Sequence, residues 1–175
     1  MAEEESEPTL GLLDDFVTGE APPQPVEYRY GFRIGHLNLL HDGSTVVEVI
    51  PPEKITPLPN VPNWLLGLTN VRSNLIPLFD LARYLTLESL EGTRSRNLRQ
   101  LVFGSQQRMA SILIDGLPLQ LKLGQGAEIG SAISSHPLLE PYTLGTYQID
   151  NQLWTQINFD GLFAGMGDSL TDSQI

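Results

Sequence analysis

Residues 55–81 read Ile55-Thr-Pro-Leu-Pro-Asn-Val-Pro-Asn-Trp-Leu-Leu-Gly-Leu-Thr-Asn-Val-Arg-Ser-Asn-Leu-Ile-Pro-Leu-Phe-Asp-Leu81. The proline steps push Ile55–Pro59 into extended geometry, because the residue before a proline is steered away from the helical region. Pro62–Gly67 reads as a single helical turn stopped by glycine. Gly67–Arg72 and Leu75–Phe79 then read as the two arms of a hairpin, with one arginine in an otherwise apolar stretch. Asp80 stands where a helix cap is wanted, ahead of a short helix over Leu81–Thr86.

Working outward from that hairpin, short apolar runs alternate with turn residues. Tyr28–Gly35 and Ser44–Ile50 read as strands separated by the turn-rich His41-Asp-Gly-Ser44. After a polar connector at 88–97 come Leu98–Phe103, Arg108–Asp115 and Leu117–Leu123, all strand-like. A Gly/Ser-rich loop covers 124–136. Tyr142–Asp150 and Gln152–Ile157 form another hairpin, followed by a short helix at 159–164. Sixteen glycines and thirteen prolines fit this turn-rich, all-β reading.

An internal repeat organises these elements. Shifting Gly67–Leu85 by 78 positions lays it on Gly145–Phe163. Val71 then meets Ile149, Leu75 meets Leu153, Ile76 meets Trp154 and Phe79 meets Ile157. Asp80 meets Asn158, each just before a short helix. Leu81, Tyr84 and Leu85 match Phe159, Leu162 and Phe163, an apolar face at helical spacing. The expectation is two subdomains, each ending in hairpin plus helix.

The chain of 175 residues is long enough for one compact domain with a real core. It has no cysteine, which removes disulfides and thiolate metal sites. No apolar stretch is long enough to span a bilayer, and the acidic start lacks a basic signal-peptide region. The chain therefore reads as soluble and cytoplasmic.

The net charge of −11 is unevenly spread. Residues 1–27 hold eight acids and no base, so residues 28–175 carry only −3. The domain reading is an acidic, proline-containing tail at 1–27, a folded unit at 28–165, and a frayed polar end at 166–175. Within the tail, Leu10-Gly-Leu-Leu-Asp-Asp-Phe16 reads either as a short docking motif or as stray apolar residues in a solvated segment. Nucleic-acid binding is disfavoured, since it needs a dense basic face. The nearest approach, Arg94, Arg96, Arg99 and Arg108, includes two residues of the polar connector.

The run resembles the signature segment of the CheW family, the non-catalytic adaptors that join bacterial chemoreceptors to their histidine kinase. Val46-Val-Glu-Val-Ile50, Ile55–Pro59, Gly67–Arg72 and Leu75–Leu81 carry the resemblance most specifically. In the second half Ala110–Gly116 and Tyr147–Phe163 extend it, so that it covers roughly residues 28–165. It implies two interleaved, SH3-like, five-stranded β-barrel subdomains sharing a hydrophobic core, with short helices. It implies no enzyme activity, no cofactor and no metal. The implied partners are the regulatory domain of a CheA-like histidine kinase and the signalling tip of a methyl-accepting chemoreceptor, with recruitment to membrane-associated receptor arrays. The kinase-facing residues stay unassigned.

The family's receptor-contacting positions fall on Val46, Glu48, Gly67 and Arg72. Val46 and Glu48 share a strand face because strand side chains repeat every two residues. Gly67 leaves room for close approach of a partner backbone. Arg72 offers five donors in a fixed fork and has no obvious local acid, which points to an external carboxylate or carbonyl. Each has a plainer reading: Val46 as core, Glu48 as a solvated strand residue, Gly67 as a helix stop. The family usually has glycine after this arginine. Here Ser73 follows, so the left-handed turn position falls on Ser73 or on Asn74. This, the first hairpin Gly35–Gly43 and the long tail fit a divergent branch such as the pilus-motility or phototaxis adaptors.

No catalytic pattern appears. His36, His41 and His136 complete no ligand set and read as surface residues. Gly124–Gly130 is a loose glycine cluster without the helix or lysine of a phosphate loop. Asp80 and Asp115 read as cap and turn acids rather than an acid/base pair. Two other readings stay open. One is a small-molecule-binding barrel with Trp64 or Trp154 lining a pocket. The other is a paralogue that occupies the kinase site without a receptor.

Overall fold

The computed structural model describes residues 27–41, 43, 47–87, 97–105, 108–123, 128–130 and 135–172. Val46, the acidic tail up to 26 and most of the 88–97 connector lie outside them. The strands are β1 Glu27–Ile34, β2 Leu37–His41, β3 Val47–Ile50, β4 Ile55–Thr56, β5 Leu65–Val71 and β6 Asn74–Phe79. After helix α1 (Leu81–Tyr84) come β7 Leu98–Ser105, β8 Arg108–Asp115, β9 Leu119–Leu123 and β10 Glu128–Gly130. A 3-10 helix over Pro137–Tyr142 precedes β11 Thr143–Ile149, β12 Gln152–Ile157 and helix α2, Phe159–Asp172.

Two sheets result, and their strand orders correspond. One runs β10-β11-β12-β2-β1-β9, the other β4-β5-β6-β8-β7-β3. Each has five longer strands and one short edge strand, β10 or β4. In each, the closing hairpin (β11–β12 or β5–β6) joins a second hairpin through one parallel pair, Gln156 beside Leu40 and Leu78 beside Ser111. The second sheet is a continuous segment, whereas the first is assembled from both ends of the chain. The subdomains are interleaved in this specific sense.

The repeat extends to backbone detail. Register shifts fall at Leu65/Gly67 in β5 and at Thr143/Gly145 in β11, 78 positions apart. Asp80 Oδ1 accepts from the Arg83 amide at 3.0 Å, and Asn158 Oδ1 from the Gly161 amide at 2.9 Å. Both caps satisfy a helix-start donor that would otherwise lack a partner. The cap amides also match: Asp80 N–H donates to Trp64 O (2.7 Å) and Asn158 N–H to Tyr142 O (2.9 Å).

The sheets share one core. Phe32, Ile34 and Leu39 from the first pack with Phe79, Leu101, Phe103, Ile112 and Ile114 from the second, closed by Leu81, Leu85, Phe159, Leu162 and Met166 of the helices. Each rolled sheet also holds a small interior of its own. In the first, Trp154 packs with Leu40 and Ile149 against Leu121 and Tyr147. Gly31 is required there, since a Cβ would collide with the Trp154 ring. In the second, Val71, Ile76 and Val102 pack against Ile50 and Met109. Beside them Gln100 Nε2 donates to Thr69 Oγ1 (2.9 Å) and Ser111 Oγ (3.0 Å), and Ser111 donates to Pro77 O (2.9 Å). Buried polar groups are tolerated when paired in this way.

Several expectations need correction. Leu37–His41, read only as part of the first hairpin Gly35–Gly43 with a turn from His41, is a central strand between β1 and β12. Pro62–Gly67 is not a helical turn: the Leu65 amide bonds Pro62 O at 3.0 Å, and β5 begins at Leu65. The 124–136 loop contains β10, and the turn of helix at Pro137–Tyr142 was not anticipated. Helix α2 runs to Asp172, so most of the expected frayed end is helical. It continues because Leu162 and Met166 are wholly buried at i and i+4, with Leu170 packed against the same core.

Candidate interaction site at the β5–β6 hairpin

The hairpin tip is a two-residue loop, with Val71 paired to Asn74. Its loop residues Arg72 and Ser73 have φ of 50° and 67°. Two-residue loops with both φ positive match the right-handed twist of the strands they join. Ser73 therefore takes the left-handed position itself. Asn74 does not relieve it but begins β6, its Nδ2 donating to Arg72 O at 3.3 Å. The equivalent loop of the second hairpin, Asp150-Asn151, has φ of 48° and 60°.

Arg72 does have a local acid. Its Nη2 lies 2.7 Å from Glu48 Oε1, with the Arg72 side chain 75% exposed and that of Glu48 31%. The contact crosses the sheet. Glu48 is on edge strand β3, and β7 and β8 lie between it and the β5–β6 hairpin in strand order. Glu48 sits opposite Val102, whose side chain is in the barrel interior. The pair thus lies at the open mouth of the second barrel. Two of the residues singled out from the sequence are brought together there. Val46 lies outside the described residues.

Gly67 is elsewhere, at the base of the hairpin, buried in the irregularity of β5. Its φ is +140°, and a Cβ would strike the Thr56 carbonyl oxygen on β4. The backbone it admits so closely is therefore this chain's own. It is a packing glycine rather than a helix stop.

Leu75 was expected only as one arm of the hairpin. It is 67% exposed on the strand leaving the tip, and its repeat counterpart Leu153 is 51% exposed. The repeat pairs them as apolar residues but does not mark them as exposed, since a strand leucine reads as core.

The remaining candidates resolve individually. His41 is buried, not at the surface, with its ring 5.7 Å from Phe103 and 6.3 Å from Phe159. His36 is exposed in the β1–β2 turn, and His136 Nδ1 accepts from the Leu138 amide at 3.2 Å to cap the 3-10 helix. Among the described residues no three His, Asp or Glu side chains gather as a metal site. Trp154 is core, and Trp64 packs on Phe79 and Tyr84.

The model of the CheW-like domain matches residues 30–165. The chain belongs to the CheW-like domain family. Among curated relatives it is 35% identical to protein FrzA of Myxococcus xanthus over 77 residues, 43% of this chain and 48% of that protein. It is 33% identical to protein PilI of Pseudomonas aeruginosa over 85 residues, 49% of this chain and 47% of the relative. With the chemotaxis protein CheW of Helicobacter pylori it shares 28% over 95 residues, covering 54% and 56%. These matches span about half the length of each relative. The fold is also that of the scaffolding protein TtCheW of Thermoanaerobacter tengcongensis, with a TM-score of 0.66 and 18% identity over 79% of this chain and 93% of that one. Among the described residues no helix of this CheW-like chain is long and apolar enough to cross a membrane.

Proposed function

We propose that this chain is a non-catalytic adaptor that couples a chemoreceptor signalling tip to a CheA-like histidine kinase. Its output would be chemotaxis or pilus-based motility, in line with the names of its relatives FrzA and PilI. The observation that carries the reading is the Glu48–Arg72 pair at the barrel mouth of a CheW-like domain. Glu48 occupies one edge of the guanidinium, while most of the Arg72 side chain faces solvent. The remaining donors suit a carboxylate or the carbonyl end of a partner helix, and exposed Leu75 adds an apolar contact. Kinase control follows from unequal binding to its active and inactive arrangements, since a ligand shifts only equilibria whose states it binds differently.

The direct test is titration of a receptor signalling fragment into the full chain, its Arg72→Glu variant and the Glu48→Arg/Arg72→Glu double variant. Binding should weaken at least about tenfold in the single variant, as expected when a charged interface contact is reversed. The double variant restores the internal pair with its polarity reversed, so it should stay weak if the guanidinium itself meets the receptor. Undiminished binding by Arg72→Glu would refute this site and favour a receptor-independent adaptor. The small-molecule reading gains nothing from the tryptophans, since Trp154 packs in the first barrel's interior and Trp64 packs on Phe79 and Tyr84.

A further inference from the structure

The two barrel mouths correspond strand by strand. In the second sheet Leu78 lies beside Ser111, which faces Val102, which faces Glu48. In the first, Gln156 lies beside Leu40, which faces Gly31, which faces Leu119. Leu119 therefore stands where Glu48 stands in the other barrel. On the hairpin tips Asp150 stands where Arg72 stands, with φ of 48° against 50°. The two mouths thus have opposite polarity. In the second, a base on the tip meets an acid on the barrel wall. In the first, the tip carries the acid and the wall carries the base Arg33. Arg33 donates to Asn38 Oδ1 (3.0 Å) and to Gln152 Oε1 (2.9 Å), close to the tip. Arg33 and Asp150 are both exposed, and Asp150 makes no ion pair among the described residues.

We infer that the two mouths bind one another between copies of this chain, with Arg72 of one copy against Asp150 of the next. Charge complementarity carries the assignment. Tip meets tip as Arg72 with Asp150, and wall meets wall as Glu48 with Arg33, so each charge finds its opposite. Apolar surface accompanies the charges on both sides. Leu75 is exposed beside the Arg72 tip, and Leu117, Leu119 and Leu153 are exposed on the first barrel. Removing such side chains from water adds a term that salt does not screen, whereas the exposed charges alone are weakened by it. The contact joins two different patches, so each chain offers one of each. Such a heterologous contact propagates past a dimer into rings or open chains. A copy engaged in this way withdraws its Arg72 from any other partner. The inference does not rest on the adaptor reading, because it involves neither receptor nor kinase.

Charge exchange tests the contact on the full chain by itself. Arg72→Asp and Asp150→Arg each give one turn the residue type that the equivalent turn already holds at nearly the same φ, so both variants suit the backbone. In sedimentation velocity at low salt, the wild-type coefficient should rise with protein concentration. Each single variant should associate at least about tenfold more weakly, because it sets like charge against like. An equimolar mixture of the two single variants should recover the association, and so should the double variant Arg72→Asp/Asp150→Arg. A wild-type coefficient independent of concentration would overturn the inference. So would single variants that associate as well as wild type, or a mixture that associates no better than either variant alone. No arm contains receptor, so this contact and the adaptor reading can each fail without the other.

Discussion

Arg72 and Glu48 are 24 residues apart in sequence and on non-adjacent strands, yet Nη2 and Oε1 lie 2.7 Å apart. The rolled second sheet brings them together, and the pair lies across its mouth. Its consequence for stability is small. Exposed ion pairs contribute from nothing to about 1 kcal/mol, and Arg72 is largely solvated. Glu48→Gln should therefore shift the urea midpoint of unfolding by an amount equivalent to less than about 1 kcal/mol. A larger loss would show that the pair holds the barrel closed rather than orienting the guanidinium.

Ser73 carries a φ of 67° without being glycine. A left-handed residue with a side chain is strained by roughly 1–2 kcal/mol, part of which glycine returns through its freer unfolded chain. Ser73→Gly should stabilise the protein by about 0.5–1 kcal/mol in denaturant unfolding. Asn151→Gly in the matching turn should gain less, because asparagine tolerates this region better. A destabilised Ser73→Gly would contradict the turn geometry.

Gly67 combines a φ of +140° with a neighbouring backbone oxygen where a Cβ would go. Gly67→Ala should cost on the order of 2–4 kcal/mol through strain and overpacking. Any loss of partner binding in this variant should then follow its loss of folded protein in the same sample, measured by circular dichroism. A fully stable Gly67→Ala that still loses binding would return Gly67 to the contact surface.

The Gln100 amide joins two barrel strands through Thr69 and Ser111. Gln100→Ala leaves those two hydroxyls buried and underpaired, at a cost of about 2–4 kcal/mol. Thermal unfolding measures it directly. A variant that unfolds within a degree of the parent would show that water replaces the amide at no cost.

Much of this fold can be read from the sequence because the repeat is local and chemical. Hairpin arms, cap residues and turn positions recur at one spacing, and each has a short-range physical cause. What was missed depends on tertiary context. Leu37–His41 is buried on both faces as a central strand, so it lacks the alternation that marks a half-buried one, and the turn-rich His41–Ser44 hides its end. Helix α2 contains Gly161, Gly165 and Gly167, and its buried stripe outweighs their poor propensity. Gly165 has a packing reason, since a Cβ would meet the Tyr142 hydroxyl. The candidate site is half legible: Arg72 and Glu48 each stand out in the sequence, but their contact follows from barrel closure, which no local pattern encodes.

The adaptor account is tested most directly by co-purifying the full chain with the isolated regulatory domain of a CheA-like kinase from the same cell. Wild type and Arg72→Glu are run side by side, each with and without a receptor signalling fragment. The account predicts a stable kinase complex with both proteins, and recruitment of receptor only by wild type. Absence of a complex with every such kinase in the cell would contradict it.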